Sequence, residues 1–130
     1  MDVKQIGSLI AYATAARESA YAPYSKYQVG AAVMMGSGEI YTGCNVENAS
    51  YGLCICAERT AIVKAVSTGE RKIKAVAVAT AGGGSPCGAC RQFISEFADD
   101  ETVIIIHDVT EEQPEQLFKM PELLPSAFKF

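Results

Sequence analysis

A chain of 130 residues, 49% hydrophobic and with a formal net charge of −4, suits one domain that buries roughly two-thirds of its unfolded surface without staples. The acidic balance and the lack of any Lys/Arg cluster argue against a nucleic-acid partner, whose affinity comes largely from neutralised phosphates, and no apolar N-terminal stretch suggests a signal peptide or a membrane partner. Five cysteines, an odd number in such a chain, are expected as cytoplasmic thiols and metal ligands rather than disulfides.

In chain order, Val3 to about Ala20 places Ile6, Leu9, Ile10, Ala13 and Ala16 on one face and predicts an amphipathic helix that Pro23 stops. Tyr27 to Met35 reads as a strand, Gly36-Ser37-Gly38 as a hairpin turn and Ile40 to Val46 as the partner strand. After a polar loop, Cys56 to about Thr68 has helical spacing through Ala61, Ile62, Ala65 and Val66, with Gly69 as its stop. Ile73 to Thr80 is a near-continuous apolar run suited to a strand covered on both faces. A bend at 82–86 leads to a helix from about Cys87 to Ala98, with Phe93, Ile94 and Phe97 facing inward, and then to a buried strand from Thr102 to Ile106. Thr110 to Phe118 is expected as a further helix, with Pro121 and Pro125 keeping the tail irregular. The layout implies an α/β fold, a three-layer α/β/α sandwich with a mixed β-sheet: an antiparallel hairpin followed by parallel strands joined through helices.

The chemistry gathers in two short segments, Cys56-Ala57-Glu58 and Pro86-Cys87-Gly88-Ala89-Cys90. Zinc in catalytic sites takes three protein ligands and keeps a fourth position for water, and Cys56, Cys87 and Cys90 supply three. Glu58 stands too close in sequence to Cys56 to be a further ligand, but near enough to carry protons for the water. Cys56 and Cys87 both fall near helix N-termini, where unpaired N–H groups favour a thiolate, and Cys87 and Cys90 share one helical face. A lone CxxC at the start of a helix also describes a thiol redox motif. A closed structural site, with Cys54 or Cys44 as fourth thiolate, is the other reading open at this point.

A Cys or His, any residue and Glu, followed later by Pro-Cys-x-x-Cys, is the zinc-deaminase signature. The chain resembles the cytidine deaminase family, and within it the short homotetrameric members that have Cys where larger dimeric members have His. The resemblance runs from about Tyr24 to Phe128 and includes Pro23-Tyr24-Ser25, Val29-Gly30-Ala31-Ala32, Asn45-Val46-Glu47-Asn48 and Leu123-Leu124-Pro125. It implies Zn2+ as cofactor and hydrolytic deamination of cytidine and 2′-deoxycytidine in pyrimidine salvage, with Glu58 as the proton shuttle. Three thiolates leave zinc with a net negative charge, which opposes activation of its water; the resemblance assigns Arg59 as the offsetting cation. It assigns Asn45 and Glu47 to ribose recognition, Tyr27 to packing against the base, Ala57 to substrate binding, and Tyr51 and Phe128 to a neighbouring subunit's site in a homotetramer. The family often has Phe where Tyr27 stands. The sole histidine, His107, matches no ligand position and reads as structural, and Cys44 and Cys54 read as small buried residues. A deaminase of a cytosine-nucleoside antibiotic would share the metal motifs; the Asn45/Glu47 pair argues against it.

Overall fold

The computed structural model describes residues 1–130. Helix α1 (Val3–Arg17) opens on a capping box, in which the Asp2 carboxylate accepts from the Gln5 N–H at 2.7 Å and the Gln5 side chain accepts from the Asp2 N–H. It ends earlier than expected, at Arg17. The Tyr21 N–H leaves the helix direction to donate to the Asn45 carbonyl, and Tyr21 forms a bridge with Val46.

Strand β1 (Gly30–Met35) also starts later than the apolar pattern suggests. The Asn45 side chain occupies the backbone just before it, accepting from the Val29 N–H and donating to the Tyr27 carbonyl, both at 2.9 Å. β2 (Ile40–Cys44) completes the hairpin, and β3 (Ile73–Thr80), β4 (Val103–Asp108) and β5 (Gln116–Lys119) complete a sheet of order β2-β1-β3-β4-β5. Only β3 and β4 run parallel; the other neighbours are antiparallel.

α1 covers one face through Leu9 and Ala13, packed on Ala32, Met34, Ala75, Ala77, Ala79 and Ile105. α2 (Ala57–Ser67) and α3 (Gly88–Phe97) cover the other, with Ala61, Ile62, Ala65 and Ile94 against Val33, Val76 and Ile104. This is the expected three-layer sandwich, and strands covered on both faces explain the long apolar runs, which in β3 only the exposed Lys74 interrupts. Burying a side chain such as Ile62 contributes on the order of 2 kcal/mol. Gly43 sets how closely α2 approaches the sheet: a Cβ there would lie 2.5 Å from the Ala61 nitrogen and 2.7 Å from the Ala57 carbonyl oxygen. The backbone of the helix that carries Glu58 therefore rests directly on β2.

Two expectations near the C-terminus are corrected. Thr110 to Phe118 is not a helix but a turn region followed by edge strand β5. Pro114 lacks an N–H and disfavours helical geometry at Gln113, and Asp108 draws the N–H groups of Thr110 and Gln113 into a turn at 2.9 and 3.1 Å. Leu117 and Phe118 pair with Ile105 and Ile104. Pro121, expected to keep the tail irregular, lies instead in the first turn of the short helix α4 (Met120–Leu123), where its missing N–H costs nothing. No helix is long and apolar enough to cross a membrane.

Candidate metal centre and active site

Cys56 and Cys87 are the N-cap residues of α2 and α3, both with extended backbone and neither spending its side chain on a cap. Cys90, one turn into α3, is fully buried. The three sulfurs converge within 4.8 Å of one another. A tetrahedral zinc with Zn–S bonds of ~2.3 Å spaces its sulfurs by ~3.8 Å, so the cluster needs at most a small contraction to hold the ion. Its thiolate donors suit zinc among the common divalent metals. Neither Cys44 nor Cys54 joins the group. The Cys54 sulfur faces the backbone of Asn48 instead, 3.3 Å from its nitrogen and 3.6 Å from its carbonyl oxygen, which disfavours the closed four-cysteine reading. Cys44 and Cys54 are half-buried rather than core residues.

The electrostatics of the cluster favour a thiolate at Cys56. Its pKa falls to about 5, chiefly because the Cys90 thiol donates to it and also because Arg59 lies beside it, against the opposing effect of burial. Cys90, the donor in that pair, is pushed in the opposite direction, and burial adds to the shift. The Arg59 guanidinium approaches the Cys56 sulfur at 3.5 Å and the Cys54 carbonyl at 3.4 Å. Its bond to Cys56 holds it protonated still more firmly than usual, while its Nε is buried without a partner. A fixed cation beside clustered thiolates is the arrangement needed to offset their charge.

Glu58, only 4% exposed, stands in the first turn of α2. Burial pushes its carboxyl above the usual carboxylate range, with the Cys56 charge acting in the same direction. A carboxyl group of that kind holds and releases protons nearer neutral pH than an exposed one.

A cavity of about 270 Å³ opens above the cluster. Its lining includes seven residues singled out from the sequence: Tyr27, Asn45, Glu47, Cys56, Ala57, Glu58 and Cys87. Glu47 takes the N–H groups of Tyr24 and Ser25 on one oxygen, at 3.0 and 3.1 Å, and the Ser25 hydroxyl on the other. Ser25 is the main reason its carboxyl lies below the usual range. Asn45 and Glu47 therefore enter the cavity already held by the 24–29 segment, each with one acceptor lone pair to spare, and Asn45 with one free N–H. The Tyr27 hydroxyl, the departure from Phe, donates to the Ala81 carbonyl at 3.0 Å and ties the cavity wall together.

Tyr51 and Phe128 do not line this cavity. Tyr51 sits edge-on to Tyr24, with ring centroids 6.4 Å apart, and Phe128 packs on Phe130 beside Gln92 and Glu96 of α3. His107 bonds through Nδ1 to Glu115 at 3.0 Å. Sequence reasoning missed Val29, Val78, Thr80, Gly84 and Ser85, which also line the cavity. Thr80 carried a readable signal, a polar residue at the carboxyl end of a parallel strand, where α/β sheets place their sites.

Comparison with known proteins agrees with this geometry. Residues 3–106 match the family described as the cytidine and deoxycytidylate deaminase zinc-binding region. A cytidine deaminase of Sporosarcina psychrophila is 48% identical over 130 residues, which span 98% of this chain and 92% of that protein. The crystal structure of a cytidine deaminase from Burkholderia pseudomallei superposes with a TM-score of 0.89 at 43% identity, covering 98% of this chain and 100% of that one. The corresponding Mycobacterium tuberculosis structure gives 0.85 at 39% identity, covering 99% and 100%. With a matching zinc-binding region and relatives close to its full length, the chain belongs to the cytidine and deoxycytidylate deaminase family of zinc proteins.

Proposed function

We propose that the protein catalyses the zinc-dependent hydrolytic deamination of cytidine and 2′-deoxycytidine to uridine and 2′-deoxyuridine, releasing ammonia, as a cytoplasmic enzyme of pyrimidine salvage. The observation that carries the reading is a buried carboxylate, Glu58, beside three converging sulfurs at the floor of a cavity sized for one small molecule. Cys56, Cys87 and Cys90 would hold the ion. When bound, zinc supplies the Lewis acidity that makes water nucleophilic near neutral pH.

Every proton movement then falls to Glu58. It takes a proton from the water that attacks C4 of the cytosine ring and delivers it to ring N3. It then moves the second water proton to the C4 amine, which leaves as ammonia. Burial favours the protonated form of this carboxyl, which keeps it competent as a donor in the second half of the cycle. Arg59 offsets the thiolate charge. Asn45 and Glu47 take the ribose hydroxyls with their unspent donor and acceptor positions, and Tyr27 and Ala57 flank the base.

The chain acts as one catalytic domain, residues 1–130, in a homotetramer in which Tyr51 and Phe128 reach a neighbour's site. Their exposure in the single chain supports that role. Elemental analysis and ultraviolet assays on purified protein test the reading. Stoichiometric zinc and steady loss of cytidine and 2′-deoxycytidine absorbance are expected. Bound zinc without either loss would assign the site a structural or thiol redox role, and turnover of cytosine-nucleoside antibiotics alone would move the enzyme to that class.

A further inference from the structure

Asp108 ends β4 and is 1% exposed. A carboxylate out of water is costly unless its lone pairs are met, and this one accepts four hydrogen bonds. One oxygen, Oδ1, takes the Gly82 N–H at 2.9 Å, the Thr110 N–H at 2.9 Å and the Thr110 hydroxyl at 2.7 Å. Oδ2 takes the Gln113 N–H at 3.1 Å. The Thr110 hydroxyl and the Gly82 N–H lead in holding its carboxyl down at about 2, so it stays ionised wherever the protein is folded and working.

The donors come from two separate loops, and one of them is the bend that delivers a metal ligand. Parallel pairing sets Asp108 beside Thr80, the last residue of β3. From there the chain turns through Gly82 and Gly83, at φ +94° and +69°, conformations open to glycine at no steric cost. It then passes Gly84, Ser85 and Pro86 to reach Cys87. Gly84 donates to the Thr80 hydroxyl at 2.7 Å, and Ser85 and Pro86 are held from the far side by Arg91, at 3.0 Å to the Ser85 hydroxyl and 2.7 Å to the Pro86 carbonyl. A glycine bend has little stiffness of its own, so its position depends on what grips it.

Resting on the deaminase reading above, we propose that Asp108 is a positioning residue: its buried carboxylate anchors the Gly82–Pro86 bend and so sets where Cys87 meets Cys56 and Cys90 and where Gly84 and Ser85 wall the cavity. It touches neither metal nor substrate. Asp108→Asn keeps the size and shape but removes the charge: with its NH2 group toward Gln113 the bond from Gly82 weakens to a neutral one, and with the NH2 group toward Gly82 and Thr110 that bond is lost, so the grip on the bend loosens in either orientation. Zinc transfer from the loaded protein to a chromogenic chelator should accelerate about tenfold, within the range for groups that orient metal ligands. KM for cytidine should rise several-fold, with a smaller change in kcat.

Thr102→Val is the matched control. It removes a buried side-chain bond, Thr102 Oγ1 to the Ile73 carbonyl at 2.9 Å, at the opposite end of the same strand, and should lower Tm without hastening zinc release. Asp108→Glu, which keeps the charge but displaces it, should also speed release, and it decides the matter if the Asn variant does not fold. Release and KM at wild-type values in Asp108→Asn, or in Asp108→Glu where that variant decides, would overturn the proposal, as would equal acceleration by Thr102→Val. A wild type without zinc or cytidine turnover would overturn the deaminase reading and this proposal with it, whereas a loaded, active wild type matched by its Asp108 variants would overturn this proposal alone.

Discussion

At the floor of the cavity Glu58 is 4% exposed, flanked by Arg59 and by sulfurs from two helix ends, whereas Tyr51 is 78% exposed and touches one other ring, and Phe128 is 69% exposed. The floor is built from residues of a single chain, each held by neighbours in the same fold. The aromatic residues Tyr24, Tyr51 and Phe128, and Leu53 two residues after Tyr51, leave large apolar surfaces in water, a feature of interaction surfaces rather than of finished packing. Under the proposed function this contrast becomes a division of labour: metal and proton chemistry would depend on intramolecular order, and closure over the substrate on what covers the aromatics.

The largest expected effect tests the floor. Glu58→Gln keeps hydrogen-bonding capacity but cannot take up or deliver a proton, so kcat should fall at least ~10²-fold with zinc retained. Steady-state kinetics with metal analysis on one preparation check it, and more than about a tenth of wild-type activity would mean that another group shuttles the proton. Next come the thiols. Cys56→Ala, Cys87→Ala and Cys90→Ala should each lower the zinc content, while Cys44→Ala and Cys54→Ala leave it stoichiometric, since neither sulfur joins the cluster; zinc loss from Cys54→Ala would reinstate the four-cysteine site.

The smallest effect tests the other half of the comparison. Deleting residues 126–130 removes Phe128 and Phe130 but none of the thiols, so zinc should stay bound while KM for cytidine rises and the assembly loosens. Light scattering beside kinetics reads both quantities. An active monomer with unaltered KM would show that each chain closes its own site.

Much of the site was legible because it is local. Cys56 and Glu58 are two residues apart, Cys87 and Cys90 three apart, and both pairs stand where a helical period begins, so helix geometry alone puts them on shared turns. The α1, α2 and α3 stretches and the buried β3 were readable from periodicity for the same reason. The segment from Thr110 to Phe118 was not, because Leu117 and Phe118 fit a helix or a strand equally well until β4 is there to pair with them. Pro114 was the overlooked clue. Asn45 looked like a ligand for sugar hydroxyls, and nothing in N-x-E announces that its amide also clasps the backbone of Tyr27 and Val29.

The sequence by itself determined the chemical groups: three thiols, the carboxyl two residues from the first of them, and the helices whose first turns present them. Only the tertiary structure decided how those turns are held in register with one another. Asp108 reaches Gly82 across 26 residues and Arg91 reaches the Leu123 carbonyl across 32, and bonds over such separations leave no periodic trace in the chain. The first arises because sheet pairing brings the carboxyl ends of β3 and β4 together, so that grip on the Cys87 loop is a property of the folded sheet and of no single stretch.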